Sequence, residues 1–197
     1  PYTPLHHILM QELGFPVVAT SGNISEETLC TDNHEAVKRL GSMVDGFLVH
    51  NRDIVHPVDD SVVRVMMERP MVLRRARGYA PLPLPVPPMI PDGLERDPVI
   101  LAVGGHMKNT IALAWQNRVV VSPHIGDMGT ARSLAVFEQT VLDLQSLYGV
   151  SAAAVICDAH PGYATSRWAQ RCGLPIHSIY HHHAHAAAAT AADSVTT

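Results

Sequence analysis

The sequence predicts an α/β protein in two parts, on three observations. Short apolar runs alternate with helical patterns before residue 81, six prolines crowd the stretch from Pro81 to Pro91, and three consecutive strand patterns then lead into one long helical pattern. Proline fixes φ and removes a backbone donor, so neither a helix nor a central strand continues through such a stretch. Residues 1–80 and 99–197 are therefore expected to be two domain parts, joined by a semi-rigid linker over 81–98.

In the first part, periodicity places helices near Leu5 to Leu13 and His34 to Leu40. Short strands are expected at Val17 to Thr20, Gly46 to Val49, Ser61 to Met66 and Met71 to Leu73. Past the prolines, Val99 to Val103, Thr110 to Trp115 and Val119 to Ser122 read as three strands joined by short turns. A helix follows from about Thr130 to Tyr148, with Leu134, Phe137, Val141 and Leu144 spaced three and four apart on its buried face. Ala152 to Cys157 and Pro175 to Ile179 supply two further strands around a helix near Tyr163 to Cys172. Three antiparallel strands followed by alternating helix and strand suggest half of a nucleotide-binding α/β domain of the actin and sugar-kinase type.

At 197 residues and 47% hydrophobic content, the chain can bury a core. Its net charge of −4 gives no overall attraction for polyanions, which disfavours a large nucleic-acid footprint. Arg64, Arg69, Arg74, Arg75 and Arg77 nevertheless form a local basic stretch suited to a nucleotide phosphate. Cys30, Cys157 and Cys172 are odd in number and lack CxxC spacing, so neither a disulfide framework nor a thiolate zinc site is indicated, and a reducing cytoplasm fits. No signal peptide opens the chain, and no apolar run approaches the roughly 20 residues that span a bilayer. No membrane association is expected.

The densest chemistry lies at Tyr180-His181-His182-His183-Ala184-His185. On a helix, His181 and His185 are four apart and share a face, so two imidazoles can reach one metal ion. His182 is turned about 100° and His183 about 200° from His181, which leaves His183 out of the set. A tag or a solvated cap is the bland reading; a tag would not break after three histidines inside an alanine-rich helix.

Other loops carry polar groups at strand ends. Thr20-Ser21-Gly22-Asn23 offers hydroxyls, a flexible glycine and an amide, which serve a ligand or an ordinary turn. Gly104-Gly105-His106-Met107-Lys108-Asn109-Thr110 offers backbone donors and one cation to a phosphate, or is a glycine hairpin with a solvated lysine. Asp59-Asp60 could bind a cation but reads more simply as a loop end. His124-Ile125-Gly126-Asp127 and Asp158-Ala159-His160-Pro161 each pair an imidazole with a carboxylate, able to hold a metal, move a proton or cap a helix.

Together these strings resemble one family. Pro4-Leu5-His6-His7, Thr20-Ser21-Gly22-Asn23-Ile24-Ser25, Asp59-Asp60-Ser61-Val62-Val63-Arg64 and Arg74-Arg75-Ala76-Arg77-Gly78-Tyr79-Ala80-Pro81 are similar to the second half of the YrdC/Sua5-like domain of the HypF family, the carbamoyltransferases of nickel–iron hydrogenase maturation. The Gly104–Thr110, His124–Asp127, Asp158–Tyr163 and His181–His185 strings are similar to the start of the family's next domain, which resembles the tRNA threonylcarbamoyl transferase. The fold class implied is a YrdC-like α/β half-domain followed by an actin/sugar-kinase-type (ASKHA) α/β half-domain.

The resemblance implies a relay. Carbamate released from carbamoyl phosphate is joined to ATP (with Mg) as carbamoyl-adenylate with loss of pyrophosphate, and the carbamoyl group then passes to the carboxy-terminal cysteine of a HypE-like acceptor protein. It also implies adenylate contacts for Ser21 and Asn23, phosphate contacts for Arg64 and Arg75, a nucleotide phosphate for Lys108, and zinc or iron on His181 and His185. By the same resemblance, the chain starts inside the YrdC-like domain and stops before the family's third metal ligand, an aspartate. Alone it should turn over little, hold metal weakly and expose apolar surface. Two other readings stay open: a tRNA threonylcarbamoyl-adenosine enzyme, and a catalytically silent metal-binding module.

Overall fold

The computed structural model describes residues 3–25, 27–85 and 98–195. The elements in chain order are α1 (Pro4–Leu13), α2 (Asn33–Leu40), β1 (Val62–Met66), β2 (Arg69–Arg74), β3 (Pro83–Pro85), β4 (Ile100–Ala102), β5 (Ala112–Trp115), β6 (Arg118–Val121), α3 (Ala131–Tyr148), β7 (Ala154–Asp158), α4 (Ala164–Ala169), β8 (Ile176–Ile179) and α5 (His181–Val195). Side-chain oxygens begin three of the helices. Thr3 accepts from the His6 amide, Asp32 from Glu35 and Thr130 from Ser133, each satisfying an amide that the first helical turn leaves open.

The second part is a six-stranded sheet in the order β3-β6-β5-β4-β7-β8. Strands β4, β5 and β6 run antiparallel as a meander, whereas β7 lies parallel to β4 and β8 parallel to β7. Two parallel neighbours require crossovers. Helix α3 provides the first and α4 the second, which is the alternation expected from sequence. Phe137, Val141 and Leu144 of α3 are buried against Leu101, Ile111, Leu113, Val120 and Val155 of the sheet, and Leu134 packs at the margin. Phe137 meets Trp168 edge-to-face with centroids 5.2 Å apart, and Trp115 meets Tyr148 at a similar distance of 5.2 Å.

The first part is built differently. Among the described residues, strands β1 and β2 pair only with each other, and Ala76 is the one buried apolar residue of this part. Val18, Val55, Val65 and Met67 are at least 72% exposed, as expected of a part with little core of its own.

Three expectations require correction. The runs Val17 to Thr20 and Gly46 to Val49 are apolar but are not strands, because no ladder among the described residues takes up their backbone groups. Helix α4 covers Ala164–Ala169 and ends in turns before Cys172, so it is shorter than expected. The prolines do not begin as a bare spacer either, since Pro83, Leu84 and Pro85 pair with Val120, Val119 and Arg118 as β3. That strand lies at the sheet edge, where a missing donor is tolerated. The rest of the expected linker, 86–97, lies outside the described residues. Among the described residues, no helix is long and apolar enough to cross a membrane.

Candidate functional site

A cavity of about 1140 Å³ opens between the two parts. Its wall includes Ser21, Asn23, Asp59, Arg74 and Arg77 from the first part, and His124, Asp127 and Arg132 from the second. The Ser21–Asn23 loop is folded on itself: the Asn23 amide Nδ2 donates to the carbonyls of Ile24 and Glu27 at 2.9 Å each, and Cys30 N donates to Gly22 O at 3.0 Å. Among the described residues Asn23 Oδ1 has no partner, a buried acceptor ready for a donor.

Polar contacts lace the parts together around this cavity. His124 Nδ1 and Asp59 Oδ2 are 2.6 Å apart, and His124 N donates to Arg75 O at 3.1 Å. From the first turn of α3, Arg132 donates Nε to Thr28 Oγ1 and Nη2 to Leu29 O, both at 2.6 Å, while Nη1 pairs with Glu35. Tyr148 Oη donates to Pro81 O at 2.6 Å. The hydrogen bond from His124 holds the Asp59 carboxyl below the usual carboxylate range; the charges of His124 and Arg74 add to this, and burial opposes it.

The five residues implied for the nucleotide separate in space. Ser21 and Asn23 lie on the cavity wall, but Arg64 is exposed on β1 and Lys108 is exposed on its loop. Arg75 donates Nη2 to Leu82 O at 3.0 Å, bracing the turn before β3, and it does not line the cavity. The guanidinium groups on the wall belong to Arg74, Arg77 and Arg132. Arg74 and Arg77 were visible in the basic stretch; Arg132 was not, because its partners lie about a hundred residues earlier in the chain.

The glycine loop is a braced turn. Gly104 has φ +67°, and a Cβ there would meet Thr110 O at 2.3 Å, so only glycine fits. Asn109 is buried and donates Nδ2 to Val103 O at 2.9 Å and to Gly105 O at 2.7 Å. Lys108 N donates to Asp127 Oδ1 at 2.6 Å, which gives Asp127 its role as a clasp between two loops.

Strand β7 delivers Asp158 to the start of α5, the third cluster. His181 and His185 share a face as their spacing requires, with Nε2 atoms 3.0 Å apart, and His181 Nδ1 lies 2.8 Å from Asp158 Oδ2. Asp158 Oδ1 accepts from His160 N at 2.9 Å, and the His160 ring stacks on Tyr163 at 4.3 Å. The two imidazoles are close enough for both to reach one ion at about 2.0–2.1 Å, and thus fit part of a zinc or iron shell. No group of three or more His, Cys, Asp or Glu side chains able to hold a metal occurs among the described residues.

Comparison with known proteins adds to this geometry. The family model for the HypF Kae1-like domain matches residues 95–192, and the Sua5/YciO/YrdC model, described as telomere recombination, matches residues 1–76. The chain is 46% identical to the carbamoyltransferase HypF of Synechocystis sp., over 98% of this chain and 24% of that protein. It is 42% identical to the Rhodobacter capsulatus carbamoyltransferase HypF, over 95% of this chain and 25% of that protein. A crystal structure of full-length HypF in the phosphate- and nucleotide-bound form superposes with a TM-score of 0.85 at 39% identity, covering 97% of this chain and 29% of that one. The chain thus spans about a quarter of the length of the curated relatives it matches.

Proposed function

The chain belongs to the HypF family, with a YrdC-like part followed by a Kae1-like part of the actin and sugar-kinase type, and from that premise we propose that its parent protein is an ATP-dependent carbamoyltransferase. The YrdC-like part joins carbamate, derived from carbamoyl phosphate, to ATP as carbamoyl-adenylate with loss of pyrophosphate. The Kae1-like part passes the carbamoyl group to the terminal cysteine of a HypE-like acceptor in the cytoplasm. The observation that carries this reading is the cavity of about 1140 Å³ whose wall is shared by both parts. An acyl-adenylate is activated but readily hydrolysed, so a recess walled by both parts shields it from bulk water at the Ser21–Asn23 loop, while His181 and His185 lie off that wall.

Within this reading each residue has a physical task. Ser21 and the open acceptor Asn23 Oδ1 orient the adenylate, and Arg74 and Arg77 are the phosphate contacts on the wall, set among the carboxylates of Glu27, Asp59 and Asp127, whereas Arg132 is taken up by Thr28, Leu29 and Glu35. Arg64, Arg75 and Lys108, off the cavity wall, are proposed as weaker phosphate contacts, with Arg75 acting mainly through the turn it braces. The Asp59–His124 pair joins the two walls. His181 and His185 hold the metal, which when bound supplies a Lewis acid for the carbamoyl oxygen.

Carbamoyl phosphate-dependent exchange between ATP and pyrophosphate in the full-length protein tests the reading. Exchange is expected in the wild type and lost in Asn23→Ala. Undiminished exchange in that variant would remove the Ser21–Asn23 loop from the site.

A further inference from the structure

We propose that Asp158 is a positioning residue for the metal pair: it fixes the tautomer of His181 so that Nε2 is bare, and it is not itself a ligand. The inference rests on the metal reading above and goes beyond it in naming what prepares the site.

Lone pairs and protons at the three side chains decide the tautomer. An ionised carboxylate only accepts, and a neutral imidazole carries one proton on one of its two nitrogens. Asp158 Oδ2 is 2.8 Å from His181 Nδ1, so the His181 proton sits on Nδ1 and points at the carboxylate. Nε2 of His181 is then a lone-pair donor. It faces His185 Nε2 at 3.0 Å, and without a metal that contact is closed by the proton of His185. For both Nε2 atoms to hold a cation, the His185 proton would move to its own Nδ1, and the two Nε2 lone pairs would then converge.

Asp158 is held in place for this task by its other contacts. Its second oxygen is already used by His160 N at 2.9 Å, and its backbone carbonyl accepts from Ser166 Oγ at 2.8 Å. The side chain is 8% exposed, whereas that of His181 is 58% exposed, so the carboxylate is the fixed partner and the ring the one being aimed. The position also follows from the sheet. Asp158 is the last residue of β7 and pairs in register with Ile179 of β8, two residues before His181 opens α5. Carboxylates that accept from the free N–H of a ligating histidine commonly strengthen metal affinity by about 10–100-fold.

Asp158→Asn tests the idea because the amide is isosteric but carries two donors. With an amide there, either its NH2 faces the His160 N–H, or it faces His181 Nδ1 and drives the proton to Nε2, where it blocks the lone pair. In full-length protein, zinc affinity measured by competition with a chromophoric chelator is expected to fall roughly 10–100-fold in Asp158→Asn, with His183→Ala unchanged as a control. Wild-type affinity in a folded Asp158→Asn variant would overturn the proposal. Independently of any variant, nitrogen-15 imidazole shifts of the metal-free wild type should place the His181 proton on Nδ1; a proton on Nε2 would overturn it as well. His181→Ala separates the two levels. If that variant keeps full zinc affinity, the metal pair itself is wrong; if it loses zinc while Asp158→Asn does not, only the role of Asp158 is wrong.

Discussion

Asn23 and Asp59 set the character of the cavity wall at the scale of single residues. Asn23 spends both protons of its amide nitrogen on its own loop and keeps a bare oxygen, so replacing it removes an acceptor and also loosens the loop. Asp59 makes a prediction about acid. Its carboxyl is held low in the folded state, so it adds stability above its ordinary value of about 3.9 and loses that contribution as pH falls through the lower folded value. The stability difference between wild type and Asp59→Asn should therefore be present above about pH 4 and shrink below it, as read from urea denaturation at several pH values. A difference that grows on acidification would contradict the pairing with His124. The shared face of His181 and His185 was legible because helical spacing alone fixes it. Their neighbour Asp158 was only a candidate in an open list, because the contact is made across 23 residues of chain. The arginines divided in the same way: a cluster in sequence pointed to a phosphate, but only the fold decides which guanidinium groups face the cavity.

Helix α3 does two jobs at the scale of elements. Its buried face, with Phe137 at 0% exposure, closes the core of the second part, and its first turn sends Arg132 into the first part. Separable consequences follow. Phe137→Ala should cost about 3–5 kcal/mol of stability by leaving a large cavity, measured by chemical denaturation. Arg132→Ala should cost roughly 1.5–3 kcal/mol, because it strips charge-assisted hydrogen bonds from Thr28, Leu29 and Glu35. Hydrogen exchange should then speed up in the 28–35 segment and stay unchanged in β4, β5 and β6. Uniform protection across both segments would show that Arg132 does not tie them. Strands β4, β5, β6, β7 and β8 and helix α3 were all legible, since each has a strong period and clear punctuation. The expectations at Val17 to Thr20 and Gly46 to Val49 failed because apolar content marks a strand only where a ladder partner exists. Strand β3 was missed because proline argues against a strand everywhere except at an edge.

The two parts differ in kind at the scale of the molecule. One carries a continuous core under a six-stranded sheet; the other has a single buried apolar residue among its described residues and is tied to its neighbour mainly by polar contacts. That asymmetry suits a cavity whose wall is shared, since the loops around it are fixed from both sides. The prolines mark an expected boundary between two parts, and the family models match on either side of it, at 1–76 and 95–192; the cavity was not legible, because it is made by side chains from distant segments. The proposed function divides the labour between adenylate formation at the Ser21–Asn23 loop and carbamoyl transfer at the histidine pair. It is tested most directly by following labelled carbamoyl from carbamoyl phosphate to the terminal cysteine of the acceptor, with full-length wild type and His181→Ala compared side by side. The wild type should label the acceptor, and His181→Ala should leave it unlabelled while still exchanging pyrophosphate with ATP. Full labelling by His181→Ala, or loss of exchange together with labelling, would contradict the division.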